Sequence, residues 1–163
     1  MDRLWAPWRK AYIRPEGARK KGCIFCRIAK SRSDRREHVL RRTRHAFAVL
    51  NLYPYTNGHI LILPTRHVKT IDALSDKERL DWLALAVQME KALHKAFKPH
   101  GFNLGVNLGR AAGAGIPGHL HLHLVPRWKG DANFMSVTAG VRVMSESLDS
   151  VYQALMRVLN GAR

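Results

Sequence analysis

Apolar and polar positions alternate most cleanly along this chain at His119-Leu120-His121-Leu122-His123-Leu124-Val125-Pro126. A period of two is the repeat of a β-strand, so residues 119–126 are predicted to form a strand with leucines on one face and three imidazoles on the other. Upstream, Val39-Leu40 and residues 45–50 predict two strands in a hairpin around the basic residues 41–44. Residues 51–58 carry the Pro54 and Asn57-Gly58 chemistry of a loop, and residues 59–64 read as a buried strand closed by Pro64. Ser75-Asp76-Lys77-Glu78 is a capping box, followed by a helical stripe of Leu80, Leu83, Val87, Leu93 and Phe97 that stops at Pro99-His100-Gly101.

Residues 102–108 predict a further strand, and residues 109–118 a loop of small residues that lets this strand pair antiparallel with the histidine strand. Leu148, Val151, Tyr152, Leu155, Val158 and Leu159 recur at helical spacing, with Gly161 as the stop. Strands gathered around one central helix, with a carboxyl-terminal helix added, imply an α+β domain with an antiparallel sheet. Residues 1–37 show no convincing periodicity and read as an irregular basic arm, leaving residues 38–163 as one domain. Trp5 and Trp8 in that arm are expected to pack against the domain or a second subunit.

Composition narrows the setting. At 163 residues and 46% hydrophobic the chain suits one soluble domain of moderate core, without an apolar run long enough to span a membrane. Its first residues, Met1-Asp2-Arg3-Leu4-Trp5, lack the layout of a secretory signal, and a cytoplasmic location is expected. The formal charge of +16 includes basic clusters at Arg19-Lys20-Lys21, Arg35-Arg36 and Arg41-Arg42-Thr43-Arg44. Such a field attracts nucleic acid, anionic lipid or a small substrate with several phosphates, but no nucleic-acid-binding motif accompanies it.

The chemistry concentrates in two places. Both cysteines fall in Cys23-Ile24-Phe25-Cys26, which is too close-set for a disulfide framework and reads as half of a metal site or a redox pair. A tetrahedral structural site needs two further ligands, most economically histidines. The loop Gly109-Arg110-Ala111-Ala112-Gly113-Ala114-Gly115-Ile116-Pro117-Gly118 leads straight into the histidine strand, and backbone N–H groups in such a loop can approach an anion closely. Phosphate beside imidazole is the natural inference. A neutral imidazole attacks phosphorus when one ring nitrogen is held as a donor, typically by a carbonyl, and the middle histidine is best placed for this. His38, His45, His94 and His100 belong to no such constellation.

With these residues in hand, residues 47–128 resemble the histidine triad (HIT) proteins, whose signature is His-φ-His-φ-His-φ-φ with φ apolar. The resemblance implies a five-stranded antiparallel sheet per subunit, a homodimer, adenine nucleotides as ligands, and His121 as the nucleophile of a covalent nucleotidyl intermediate. It implies further that His123 assists, that His59 supports the nucleophile through a hydrogen-bond relay, and that Asn51 binds the ribose. Asn107 and Gly109 fall at positions of substrate contact, and Gly113 to Gly115 would face the α-phosphate, although Pro117-Gly118 departs from the residues usual there. HIT proteins that share the CIFC start imply a structural zinc on Cys23, Cys26, His67 and His119.

Asn51, the stretch 51–55 and residues 128–134 resemble bacterial diadenosine tetraphosphate phosphorylase-like members more than short phosphoramidases. The expected activity is therefore cleavage of diadenosine polyphosphates with water or phosphate as acceptor. Hydrolysis of an adenosine phosphoramidate, or a nucleotide or nucleic-acid binding role for the basic surface, are the competing expectations.

Overall fold

The computed structural model describes residues 22–131 and 144–161. Trp5, Trp8, the basic cluster at 19–21 and residues 132–134 lie outside that range. In chain order the elements are α1 (Ile24–Lys30), β1 (Val39–Arg42), β2 (Ala46–Leu50), β3 (Ile60–Pro64), α2 (Asp76–Phe97), β4 (Gly101–Val106), β5 (Leu122–Arg127) and α3 (Leu148–Gly161). The five strands form one antiparallel sheet in the order β1-β2-β3-β5-β4, so the expected α+β architecture is the observed one.

β2 and β3 are buried along their whole length because both faces of the sheet are covered there. On one face α2 and α3 pack over Ala46, Ala48, Leu50, Ile60, Ile62, Leu120, Leu122 and Leu124. On the other, Phe25 and Ile28 of α1 close over Val39, Phe47, Val49, Leu61 and Leu63. The leucines of the alternating run therefore face the large core, and the odd-numbered histidines go to the α1 side. α1 lies within the segment read as an irregular arm. Seven residues are too few for periodicity to register, but Ile24, Phe25 and Ile28 share one face at i, i+1 and i+4.

Two sequence expectations are corrected. The histidine strand enters the ladder only at Leu122, paired with Ile62 of β3 and Val106 of β4. Residues 119–121 precede it because β4 ends at Val106 and the N–H of Leu120 donates instead to the Val68 carbonyl at 2.7 Å. The helical stripe is also different. Leu80, Leu83 and Val87 are 73%, 52% and 48% exposed, and the core face of α2 is Trp82, Leu85, Ala86, Met89, Ala92 and Leu93. This helix carries two apolar stripes. Which one turns inward is decided by Trp82, whose indole N–H reaches the Ile62 carbonyl at 2.8 Å while its ring fills the core.

The capping box does form: Ser75 accepts from the Glu78 N–H, and Glu78 accepts from the Ser75 N–H. Gly58, ahead of β3, has φ +77°, and a Cβ there would stand 2.9 Å from Leu93 Cδ2 and 3.4 Å from Pro126 Cγ. Leu93 is fully buried and has nowhere to move. Gly58→Ala is expected to destabilise the fold by about 2 kcal/mol or more, adding the left-handed backbone cost to overpacking. Urea unfolding of the two proteins measures this, and equal midpoints would refute it.

Candidate active site and metal cluster

The site begins at the end of β2 and the loop behind it. Asn51 closes β2, and its backbone N–H donates to the His59 carbonyl at 2.9 Å. The loop then turns so that the Tyr55 N–H donates to His59 Nδ1 at 3.1 Å, with the Asn51 side-chain amide 3.3 Å from the same nitrogen. Two donors on Nδ1 require it to carry the lone pair, so the proton of neutral His59 sits on Nε2. That Nε2–H donates to His123 Nδ1 at 2.9 Å, which in turn puts the His123 proton on Nε2. His123 Nε2 is buried and has no hydrogen-bond partner among the described residues. The chain of bonds ends in one free donor.

His121 is set the other way round. Its Nδ1 lies 2.8 Å from the His119 carbonyl, and a carbonyl can only accept, so Nδ1 carries the proton and Nε2 keeps its lone pair. The His121 and His123 rings are 5.0 Å apart, and the two thus present an acceptor and a donor side by side. His59, which the resemblance ties to the nucleophile, is bonded to His123 and not to His121.

Burial pushes His59 down to about 3 and His123 down to about 4, with repulsion between the imidazoles adding to both. Both are neutral near pH 7, as the bonding pattern needs. Because these values lie below about 6.5, the ordinary histidine value, the unfolded chain binds the protons first. Stability is therefore complete above pH 6.5 and is lost as pH falls from there through 4 and 3. At pH 5, His59 alone is expected to cost about 2 kcal/mol. Denaturant midpoints at pH 7.5 and pH 5 test this, and a flat profile would contradict the buried neutral assignment.

His121 and His123 line a cavity of about 600 Å³. Asn51, Asn107, Gly113 and Gly115 line it too, so six residues singled out in the sequence converge there. Gly113 has φ +85° and lies against the Asn107 amide, 3.9 Å from where its Cβ would be. Gly109 is not among the lining residues; it turns the loop at φ +81° and accepts from the Ala114 N–H. An apolar wall built from Ile24, Phe25, Ile28, Val49 and Leu61 adjoins the histidines, and at its rim stand Arg27, Arg36 and Glu37. Periodicity missed Ile24, Phe25, Ile28 and the rim because they come from α1 and the turn after it. Tyr55 was missed as well, and its ring stacks on His123 at 5.8 Å and 16°.

The third histidine belongs to a different cluster. Cys23, Cys26, His67 and His119 each offer a ligand atom, all within 4.8 Å of one another, an arrangement that could hold a metal ion. His119 Nε2 donates to the Pro64 carbonyl at 2.9 Å, which leaves Nδ1 as a lone pair 3.4 Å from Cys23 Sγ and 3.6 Å from Cys26 Sγ. His67 Nδ1 lies 3.2 Å from Cys26 Sγ. A tetrahedron with zinc–sulfur and zinc–nitrogen bonds has edges of roughly 3.3–3.8 Å, and these three sulfur–nitrogen separations come close to it within a set spanning up to 4.8 Å. The carbonyl behind His119 is the outer partner that orients a metal-bound imidazole. Burial and the adjacent Cys23 raise the Cys26 thiol, which is the repulsion a divalent cation would relieve.

The five-stranded antiparallel sheet thus brings a Cys2His2 cluster and a pair of oppositely protonated histidines to one end of β5. The chain belongs to the HIT domain family, whose profile matches residues 32–130. Among its relatives, a protein of Mycobacterium tuberculosis named AP-4-A phosphorylase is 37% identical over 155 residues, covering 91% of this chain and 79% of the relative. The asymmetrical bis(5'-nucleosyl)-tetraphosphatase of Schizosaccharomyces pombe is 33% identical over 93 residues, or 57% of this chain and 50% of that one. A zinc-bound histidine triad family protein from Mycobacterium smegmatis shares the fold at a TM-score of 0.70 and 24% identity, covering 87% of this chain and 98% of the other.

Proposed function

We propose that the protein cleaves diadenosine polyphosphates by nucleotidyl transfer through His121. The observation that carries this reading is the pairing of a lone pair on His121 Nε2 with the unpartnered Nε2–H of buried His123, inside one cavity with an apolar wall. A base and ribose suit the apolar wall and Asn51, and the α-phosphate suits the end with the histidines and Gly113.

His121 Nε2 attacks the α-phosphorus, a P–N bond forms, and the P–O bond to the remaining polyphosphate breaks. The departing nucleoside polyphosphate is a stable anion and needs no proton. His123 Nε2–H donates to the charge that develops on phosphate oxygen, and the His119 carbonyl stabilises the cationic nucleotidyl-imidazole through Nδ1–H. In the second step water or inorganic phosphate attacks the same phosphorus, the P–N bond breaks and His121 leaves as neutral imidazole, and with water as acceptor its proton passes to solvent. The names of the mycobacterial and yeast relatives support both the substrate and these two acceptors.

Zinc is the ion proposed for Cys23, Cys26, His67 and His119, where it would cross-link α1 to the start of the histidine segment and take no part in the reaction. Reduced cysteines in such a site suit a cytoplasmic location. A homodimer is proposed through the open edge of β4, with Leu104 exposed on it, and the exposed stripe Leu80, Leu83 and Val87. The +16 charge would draw the polyanionic substrate, so its affinity should weaken with salt.

Incubation with diadenosine tetraphosphate, with and without inorganic phosphate, tests the function. ADP formed only with phosphate identifies phosphorolysis, AMP formed without it identifies hydrolysis, and the absence of both products overturns the reading. An adenosine phosphoramidate turned over far faster than the dinucleotide would favour the phosphoramidase alternative. A steep salt-dependent gel shift with RNA, alongside background turnover, would favour a binding role.

A further inference from the structure

The rim of the apolar wall carries a feature that phosphoryl chemistry does not use. Glu37, in the turn before β1, lines the same cavity as His121, and its side chain is only 10% exposed. Arg27 of α1 grips it with two bonds, Nη1 to Oε1 at 2.6 Å and Nη2 to Oε2 at 3.0 Å, while Arg36 stands 3.5 Å from Oε1. These bonds hold its carboxyl below the usual carboxylate range, so it is an acceptor only. Oε2 retains a second lone pair, because an ionised carboxylate has about four acceptor sites and Arg27 occupies one on each oxygen while Arg36 stands against Oε1.

An ionised carboxylate among apolar lining residues is costly to desolvate, and an aliphatic residue would line the cavity more favourably. Phe25, whose ring is 5.4 Å from that of His121, lines the cavity together with Ile28, Val49 and Glu37. A carboxylate repels phosphate, so the part of a nucleotide that suits it is the base.

We infer that Glu37, oriented by Arg27, is the base-selecting residue of this site and accepts a hydrogen bond from the 6-amino group of adenine. The inference rests on the proposed nucleotidyl transfer and adds the identity of the base. Hypoxanthine puts a carbonyl oxygen where adenine has its amino group, and that oxygen would face the carboxylate with like charge. Unsubstituted purine loses the bond without the repulsion. The order of preference is therefore adenine, purine, hypoxanthine, and a pocket selecting on shape or stacking alone would not produce it.

The test compares diadenosine tetraphosphate with its diinosine analogue on the wild type and on Glu37→Gln. The wild type is expected to favour the adenine substrate by about 100-fold in kcat/KM, carried mainly by KM. In Glu37→Gln, whose amide can both donate and accept, the ratio is expected to fall to within about threefold, with the inosine substrate improving in absolute terms. A residue that only pinned α1 would lower both substrates together, and that outcome overturns the inference, as does a wild type indifferent to the base. Equilibrium binding of AMP, purine riboside monophosphate and IMP to the wild type gives the same order without turnover. If neither dinucleotide is cleaved yet AMP binds at least tenfold tighter than IMP, the transfer reading fails and the base assignment stands. Equal or absent binding overturns the assignment.

Discussion

His121→Ala is expected to lower kcat for diadenosine tetraphosphate cleavage on the order of 10⁴-fold or more while leaving AMP affinity within a few-fold. The asymmetry follows from where the side chain stands. In the proposed pose the base and ribose rest mainly on the apolar wall and Asn51, whereas His121 Nε2 is the lone pair aimed by the His119 carbonyl. Among the described residues no other histidine can replace it: His123 Nδ1 and His59 Nδ1 accept hydrogen bonds within the relay, and His119 Nδ1 faces the two sulfurs. Rapid mixing, alkaline quenching and intact-mass measurement should trap a nucleotidyl adduct on the wild type and none on the variant. Retained activity in His121→Ala would sink the mechanism. His123→Ala should fall less, about 10²- to 10³-fold, because a donor to the phosphate is lost and the nucleophile remains.

Stripping the proposed zinc, or replacing Cys26 by serine, is the second large effect, and it should appear first in stability and then in nucleotide binding. The four ligands come from α1, the loop after β3 and the segment before β5, so the ion would tie together three pieces of chain remote in sequence. Loss of a tightly bound ion worth about 4 kcal/mol is expected to lower Tm by about 10 °C or more in a domain of this size. Because α1 supplies Ile24, Phe25 and Ile28 to the cavity wall, AMP affinity should fall with the metal although the ion touches no nucleotide. Calorimetric melting with metal analysis, before and after chelation, checks both. A protein purified without chelators that holds no zinc, or an unchanged Tm after stripping, would contradict the four-ligand site.

Much of this site was legible in one dimension because its signals are local. The capping box, the turn at Asn57-Gly58 and the leucines of the alternating run all follow from spacing within a few residues. The cysteine pair and the Gly-rich loop announce their chemistry in the same way. The inward face of α2 was not legible, since Leu80, Leu83 and Val87 make as good a stripe as Trp82, Leu85 and Met89. Choosing between them needs the sheet that Trp82 packs against. α1 is too short to show a period, so its share of the cavity wall falls in the segment that reads as an irregular arm.

The sequence by itself determined which side chains are available and that alternate positions near residue 119 separate imidazoles from leucines, because strand geometry leaves no other choice. Only the tertiary structure decided which nitrogen of each imidazole carries the proton. Protonation is set by the group opposite each nitrogen, and those groups are distant in the chain or invisible in its pattern: the Pro64 carbonyl for His119, the His119 carbonyl for His121, and for His123 a relay through His59 from the Tyr55 N–H. One motif of three like residues thereby becomes a lone pair facing two thiols, a lone pair held open by a carbonyl and a free donor.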